Sequence, residues 1–231
     1  MGNFMDVSKF YVESREWKKY LKLMERRPED FTASELLNIV TKSETVNKYV
    51  SETGKKLGVL YESKYNILVV DLILGETGDL FPYERLLPAE KRGAVVALTI
   101  YKDQFVLLKQ YRHAPRKFQY AFPRGFGEPE ITSEENVKKE LLEEIGAVQV
   151  EETYLGKVLP YSGILANQVD VFMCKVSNVE VKSFYEGIQD VVLLNEAELE
   201  EWILKKKIED GFTLAAYSLY KVNKAIGRNG V

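Results

Sequence analysis

An α+β fold is what this sequence predicts, and three observations carry that expectation. Between Asn47 and Leu87 the chain is β-branched and aromatic, with Gly75, Gly78 and Pro82 as punctuation, the texture of an antiparallel meander. A second β-rich region opens at Gly93 and leads through a glycine-rich loop into an acidic helix and a further apolar run, "VDVFMCKV". The last third carries helical spacing. With 231 residues, 45% hydrophobic and 29% charged, the chain can bury a full core in one large domain or two small ones. The change of texture near Gly93 suggests a first domain over residues 1–92 and a second over 93–231.

Each element has a local reason. "SREWKKYLKLMERRP" puts Trp17, Tyr20, Leu21 and Met24 at helical spacing, with Ser14 as the cap and Pro28 as the stop. A short second helix is expected next, capped by Thr32 or Ser34 and carrying Leu36, Leu37 and Val40. The meander follows. "GAVVALTIYKDQFVLLKQYRH" reads as two strands joined by a turn at Lys102-Asp103, and "APRKFQYAFPRGFGEPEI" reads as a loop. In the last third, Asn195 with Glu198 caps "EAELEEWILKKK", and Thr213 is expected to start a helix with Leu219, Val222 and Ile226 on one side.

Composition also excludes partners. A net charge of −3 lacks the basic excess that neutralises a nucleic-acid backbone, and Lys138-Lys139 and Lys205-Lys206-Lys207 sit inside acidic helices as solvated faces. No nucleic acid is expected. "NILVVDLIL" is too short for a membrane span and is broken by Asp71. Cys174 is alone, so no intrachain disulfide forms, and its apolar surroundings mark it as a buried small residue before a nucleophile. "MGNFMD" has Asp6 where a myristoylation site wants Ser or Thr, and no basic region with an apolar signal core follows. The cytoplasm is the expected compartment.

The acidic helix, "VKKELLEEIG", poses a physical problem. Glu140, Glu143 and Glu144 occupy one arc beside an apolar stripe of Val137, Leu141 and Ile145, and like charges at that spacing repel. Thr132 with Glu135 forms a capping box, and Gly146 suits the left-handed stop. A rigid cluster of carboxylates matches the oxygen ligation that Mg²⁺ demands, usually completed by substrate phosphates. The alternative is a solvated acidic face paired locally with Lys138 and Lys139. The loop before the helix favours the metal: "PRGFGEPE" lets the backbone fold back towards the carboxylates and lets a phosphate approach.

"PRGFGEPE" and "KELLEEIGA" together resemble the signature box of the Nudix hydrolases. In that likeness Gly125 is the leading glycine, Glu140, Glu143 and Glu144 are the metal-binding glutamates, and Gly146 closes the box. Lys139 stands where Arg is usual and Ile131 where the first Glu is usual. In the family those two positions pair and brace loop to helix. Here the brace is expected to be weakened or replaced, since Lys lacks the fork and Ile cannot pair, and Glu130 could substitute only through a shift of the loop.

"VLLKQYRHA", "FPRGFGE", "LGKVLPYSGILANQVDVFMCKV" and the helical tail are similar to the ADP-ribose pyrophosphatase branch, with Ala121 and Ser162 as departures from its pattern. The resemblance implies a Nudix α/β/α sandwich preceded by an antiparallel-sheet domain that builds a homodimer. It implies Mg²⁺, with Mn²⁺ as an alternative, and hydrolysis of a nucleoside diphosphate linked to a sugar, foremost ADP-ribose to AMP and ribose 5-phosphate. Glu140, Glu143, Glu144 and the backbone carbonyl of Arg124 are the implied metal ligands, Glu140 serving catalysis as well, and Gly125 admits substrate. Arg112, directly after a predicted strand, is the candidate phosphate contact, with a surface ion pair as its alternative. Glu186, in a late loop, is the implied general base, with a plain turn glutamate as its alternative. His113 reads as binding or structural, and Tyr111, Phe118 and Tyr120 as base-stacking or core residues. Ile131, Lys139 and Ala121 motivate two other readings: a catalytically weak nucleotide-sugar-binding domain, or a hydrolase of another nucleoside diphosphate derivative.

Overall fold

A computed structural model describes residues 11–91, 93–180 and 187–227. Two compact units emerge: the first takes in the chain up to Ala89 with Tyr161–Ala166, the second Glu90–Pro160 and the chain from Asn167 onward. No helix among the described residues is long and apolar enough to cross a membrane.

In the first unit, α1 (Arg15–Arg26) begins where Ser14 Oγ accepts the Trp17 N–H at 3.2 Å, and it buries Trp17, Tyr20 and Leu23. The expected second helix is not there. Leu37–Ile39 is a short strand, β1, antiparallel to β3, and α2 is Ser43–Thr53. Ser34 does act as a cap, its Oγ accepting from Leu36 N at 3.2 Å and Leu37 N at 3.3 Å, but that turn is not continued into a helix. The helical period instead belongs to Val46, Tyr49 and Val50, which are buried, and Gly54 at φ 68° ends it. The meander therefore starts after Gly54 rather than at Asn47, as β2 (Gly58–Glu62), β3 (Asn66–Gly75) and β4 (Leu80–Pro88). β4 follows β3 along nearly its whole length, while β2 and β1 pair with its two halves.

The break in "NILVVDLIL" has a structural role. Asp71 is buried and receives the Tyr20 hydroxyl, Arg85 Nε at 2.5 Å and Arg85 Nη2 at 3.1 Å, while Arg85 Nη1 donates to Asp30 O at 2.8 Å. Burial first, then the carboxylate, pushes the Tyr20 phenol upward in pKa.

The second unit is a seven-stranded sheet in the order β11-β6-β5-β10-β9, with β7 paired to β6 and β8 to β5. Its strands are β5 (Val95–Tyr101), β6 (Gln104–Arg112), β7 (Lys117–Ala121), β8 (Arg124–Gly125), β9 (Val150–Val158), β10 (Val169–Val176) and β11 (Ile188–Leu194). Lys102 and Asp103, both at positive φ, make the expected two-residue turn. β5 is buried on both faces. Val95 and Ala97 pack with Val137, Leu141 and Ile145 of α3 (Ser133–Ile145). Val96 and Leu98 share the other core with Leu199 of α4 (Glu196–Leu204) and with Ala216, Tyr217 and Tyr220 of α5 (Gly211–Ala225). This is an α/β/α sandwich. Cys174 is buried in the α3-side core, where burial pushes its thiol up in pKa.

Two further expectations need correction. The stretch read as one loop contains β7 and β8. β5 and β6 pair only from Thr99 to Tyr101, and beyond that point the chain descends along β6 as β7, turns at Phe122-Pro123 and returns along β5 as β8. Helix α5 starts at Gly211 with Asp210 as cap, so Thr213 lies inside it. Its inward face is Ala216, Tyr217, Tyr220 and Asn223, while Val222 and Ile226 are exposed. The tyrosines set this face because their rings pack edge-on against Phe105, at 5.8 and 5.5 Å, while the Tyr217 hydroxyl reaches Glu200 at the rim, 2.7 Å away.

Removing Asp71, the buried member of the pair, leaves the half-buried Arg85 charge without its carboxylate. Asp71→Ala is expected to destabilise the first unit by about 3–5 kcal/mol. Urea unfolding in a Trp202→Phe background, where Trp17 alone reports, checks this; a loss under about 1 kcal/mol refutes it.

Candidate active site

Helix α3 is held at both ends by its own sequence. Thr132 Oγ1 accepts the Glu135 N–H at 3.2 Å, the Glu135 carboxylate accepts the Thr132 N–H at 2.8 Å, and Gly146 at φ 64° stops the helix. Val137, Leu141 and Ile145 are wholly buried, which fixes the helix's rotation. With ends and rotation set, the three glutamates take different surroundings. Glu144 is 3% exposed and accepts the backbone N–H of Arg124 at 3.2 Å. Glu140 is half-buried and lies against Gly125 so closely that a Cβ on that glycine would fall 1.9 Å from Glu140 Oε1. Glu143 is exposed and accepts from Lys139 Nζ at 3.1 Å.

The structure thus gathers Glu140, Glu144, Arg124 and Gly125 at β8 and turns Glu143 towards Lys139. Among the described residues no group of three or more His, Cys, Asp or Glu side chains is gathered tightly enough to hold a metal ion. The donor chemistry fits a hard divalent cation: oxygen ligands only, from two carboxylates drawn to one backbone, at the glycine that a side chain would obstruct.

The brace between loop and helix is replaced. The acid that meets Lys139 is Glu128, at 2.8 Å, while Glu130 stands at a positive φ of 69° in the loop. The hydrogen bond that Lys139 donates to Glu128 outweighs the opposing effect of burial and, with the bond to Glu143, raises the Lys139 pKa. A second brace was missed in sequence. Asn136, fully buried, donates from Nδ2 to Gly93 O at 2.5 Å and to Phe126 O at 2.8 Å, joining α3 to the start of β5 and to the glycine loop. Its signal was an amide one residue before Val137, within the buried face of the helix.

The turn between β7 and β8 is held from below. The Phe122 N–H donates to Thr213 Oγ1 at 3.0 Å, Pro123 O accepts the Ala97 N–H at 2.9 Å, and Arg124 Nη1 donates to Asp210 at 2.9 and 3.3 Å. The Arg124 guanidinium also lies over the Phe212 ring. Asp210 is not singled out in sequence and Thr213 only as the start of a helix, although Asp three residues before Thr is a helix-cap signal.

Arg112 is half-buried at the tip of the β6–β7 hairpin, at the sheet end towards which β8 runs. His113 is exposed and bonded to Arg116 Nη1 at 2.9 Å. Tyr111 and Phe118 meet edge-on, and Tyr120 packs against Trp202. Ala121 is buried. Glu186 lies outside the described residues; its neighbour Gly187 accepts the Tyr111 N–H at 2.9 Å.

A family model described as the NUDIX domain matches residues 90–208, more than half of the chain. The chain belongs to the Nudix family. The α/β/α sandwich of the second unit is the domain so matched, and α3 with its preceding loop, the stretch whose sequence resembles the Nudix box, lies within it. Among solved structures, an ADP compounds hydrolase is similar at a TM-score of 0.62 and 19% identity, over 75% of this chain and 99% of that one. At that identity the likeness is one of fold. No curated protein sequence matches the chain.

Because the Glu140 carboxylate occupies the space above Gly125, Gly125→Ala must swing that side chain away. The expected result is a crystal structure with Glu140 displaced from β8 and a stability change of only about 0.5 kcal/mol, since the end of a flexible side chain yields easily. An unmoved Glu140 contradicts the close approach.

Proposed function

We propose that this Nudix protein hydrolyses a nucleoside diphosphate linked to a sugar, with ADP-ribose as the foremost substrate and AMP and ribose 5-phosphate as products. The observation that carries this reading is the pair Glu140 and Glu144, drawn onto the backbone of Arg124 and Gly125 inside a Nudix box. Glu140, Glu143, Glu144 and the Arg124 carbonyl are the proposed ligands for Mg²⁺, or for Mn²⁺ in its place. A cation held by those residues would supply positive charge to neutralise the negative charge developing on the diphosphate. Gly125 leaves room for the diphosphate, and Arg112 is the proposed phosphate contact, its guanidinium fork suited to paired oxygens. Glu186 is the proposed base for the attacking water. A homodimer built by the first unit and a cytoplasmic setting complete the reading.

One observation favours the alternative of a weakly active nucleotide-sugar binder: Glu143 faces Lys139 rather than its two companions. The two readings separate in one assay. Incubation with ADP-ribose and Mg²⁺ is expected to release AMP and ribose 5-phosphate, resolved by liquid chromatography. Glu144→Gln and Glu140→Gln should each lower kcat/KM by roughly a hundredfold or more without unfolding the chain, and Glu186→Gln should lower kcat. Binding without cleavage across a panel of nucleoside diphosphate sugars gives the decision to the binder, and full activity in Glu144→Gln removes the ligand assignment.

A further inference from the structure

From the contacts at the turn between β7 and β8 we infer that Asp210 and Thr213, at the start of α5, are positioning residues for the carboxylate pair Glu140 and Glu144. The inference rests on the metal reading above and goes beyond it, because both residues act through the turn that carries Arg124 rather than on the cation.

The connection runs through bonds already described. Asp210 is 6% exposed and caps α5 by accepting the Thr213 N–H at 3.1 Å. It also accepts the Thr213 hydroxyl at 3.1 Å and the Arg124 guanidinium at 2.9 Å. Thr213, fully buried, uses the same hydroxyl oxygen to accept the Phe122 N–H at 3.0 Å. One helix start therefore grips the turn on both sides of Pro123. Pro123 brings no N–H of its own, and its carbonyl is taken by β5. Beyond the turn, the same segment presents the Arg124 N–H to Glu144 and the bare Cα of Gly125 to Glu140.

A helix cap needs only one acceptor for the first turn. Here the capping carboxylate also carries an arginine whose own backbone binds a proposed metal ligand. Loosening the grip allows β8 to move relative to α3, and the two carboxylates lose the backbone that sets their spacing.

The test reads metal binding and catalysis separately on the full chain. Mn²⁺ binding is titrated by electron paramagnetic resonance, and kcat and KM are measured with ADP-ribose. Asp210→Asn and Thr213→Val are expected to weaken Mn²⁺ binding roughly threefold to tenfold, at or below the usual effect of outer-shell partners, and to lower kcat with little change in KM. Thr213→Ser, which keeps the hydroxyl, should restore both. Asn195→Ala removes the equivalent cap of α4, away from the turn, and should lower the melting temperature while leaving Mn²⁺ affinity alone. If Asp210→Asn and Thr213→Val melt earlier but bind Mn²⁺ and turn over like the parent, the two residues are caps only and the inference is overturned. A parent that binds no Mn²⁺, or whose binding Glu140→Gln and Glu144→Gln leave unchanged, overturns the metal reading itself and this inference with it.

Discussion

The second unit depends on how closely α3 and the two-residue strand β8 are held together. Three glutamates within one helical turn repel one another, and a helix that carries them needs either solvent around each or a specific partner for each. The structure uses both remedies. Glu143 goes to solvent beside a lysine, Glu144 goes inside to a backbone N–H, and Glu140 goes against a glycine whose missing side chain leaves the space. None of these placements survives a rotation of the helix. Rotation is set by Val137, Leu141 and Ile145 in the core, and axial position by the Thr132 cap and the Gly146 stop.

The sheet supplies the other half of the constraint. β5 is buried on both faces, so it cannot shift without disturbing two cores at once. β6 diverges from it beyond Val106, and the vacated edge of β5 is taken by β8. The site loop is thereby built onto a strand anchored in both cores of the unit, as preorganisation of charged groups requires.

What was legible in the sequence was local chemistry. The caps of α1, α3 and α4, the Lys102-Asp103 turn and the glycine stop of α3 each depend on residues within a few positions of one another. What was not legible depended on distant partners. Leu37–Ile39 is a strand because Ile73–Gly75 lies beside it, and no helical or strand period over so short a stretch could reveal that. β7 was hidden in a run rich in proline and glycine because its pairing with β6 is tertiary. The apolar spacing of Leu219, Val222 and Ile226 does not give the inward face of α5: Leu219 packs against the core, but the tyrosines lead that face, their rings inward and the Tyr217 hydroxyl at the rim. At the site, the glutamates stood out by spacing, whereas the acid that braces Lys139 is eleven residues away in the loop and follows no fixed register.

The departures at Ile131 and Lys139 are best weighed by where the bracing energy resides. The Lys139 side chain is 37% exposed and that of Glu128 46%, so their pair contributes only about 0.2–1 kcal/mol after screening. Asn136 is fully buried and donates to two backbone carbonyls; each such bond contributes about 1 kcal/mol net, and leaving the buried Gly93 carbonyl unmet costs more. The larger part of the attachment between glycine loop and helix therefore lies with an amide that the family box does not specify. Replacing the arginine fork by lysine changes the smaller part. A loop tethered in this way can keep its backbone against Glu140 and Glu144 without the usual ion pair. The divergence in the box thus bears on how the loop is fastened and leaves in place Glu140 and Glu144, the two carboxylates proposed to hold the cation.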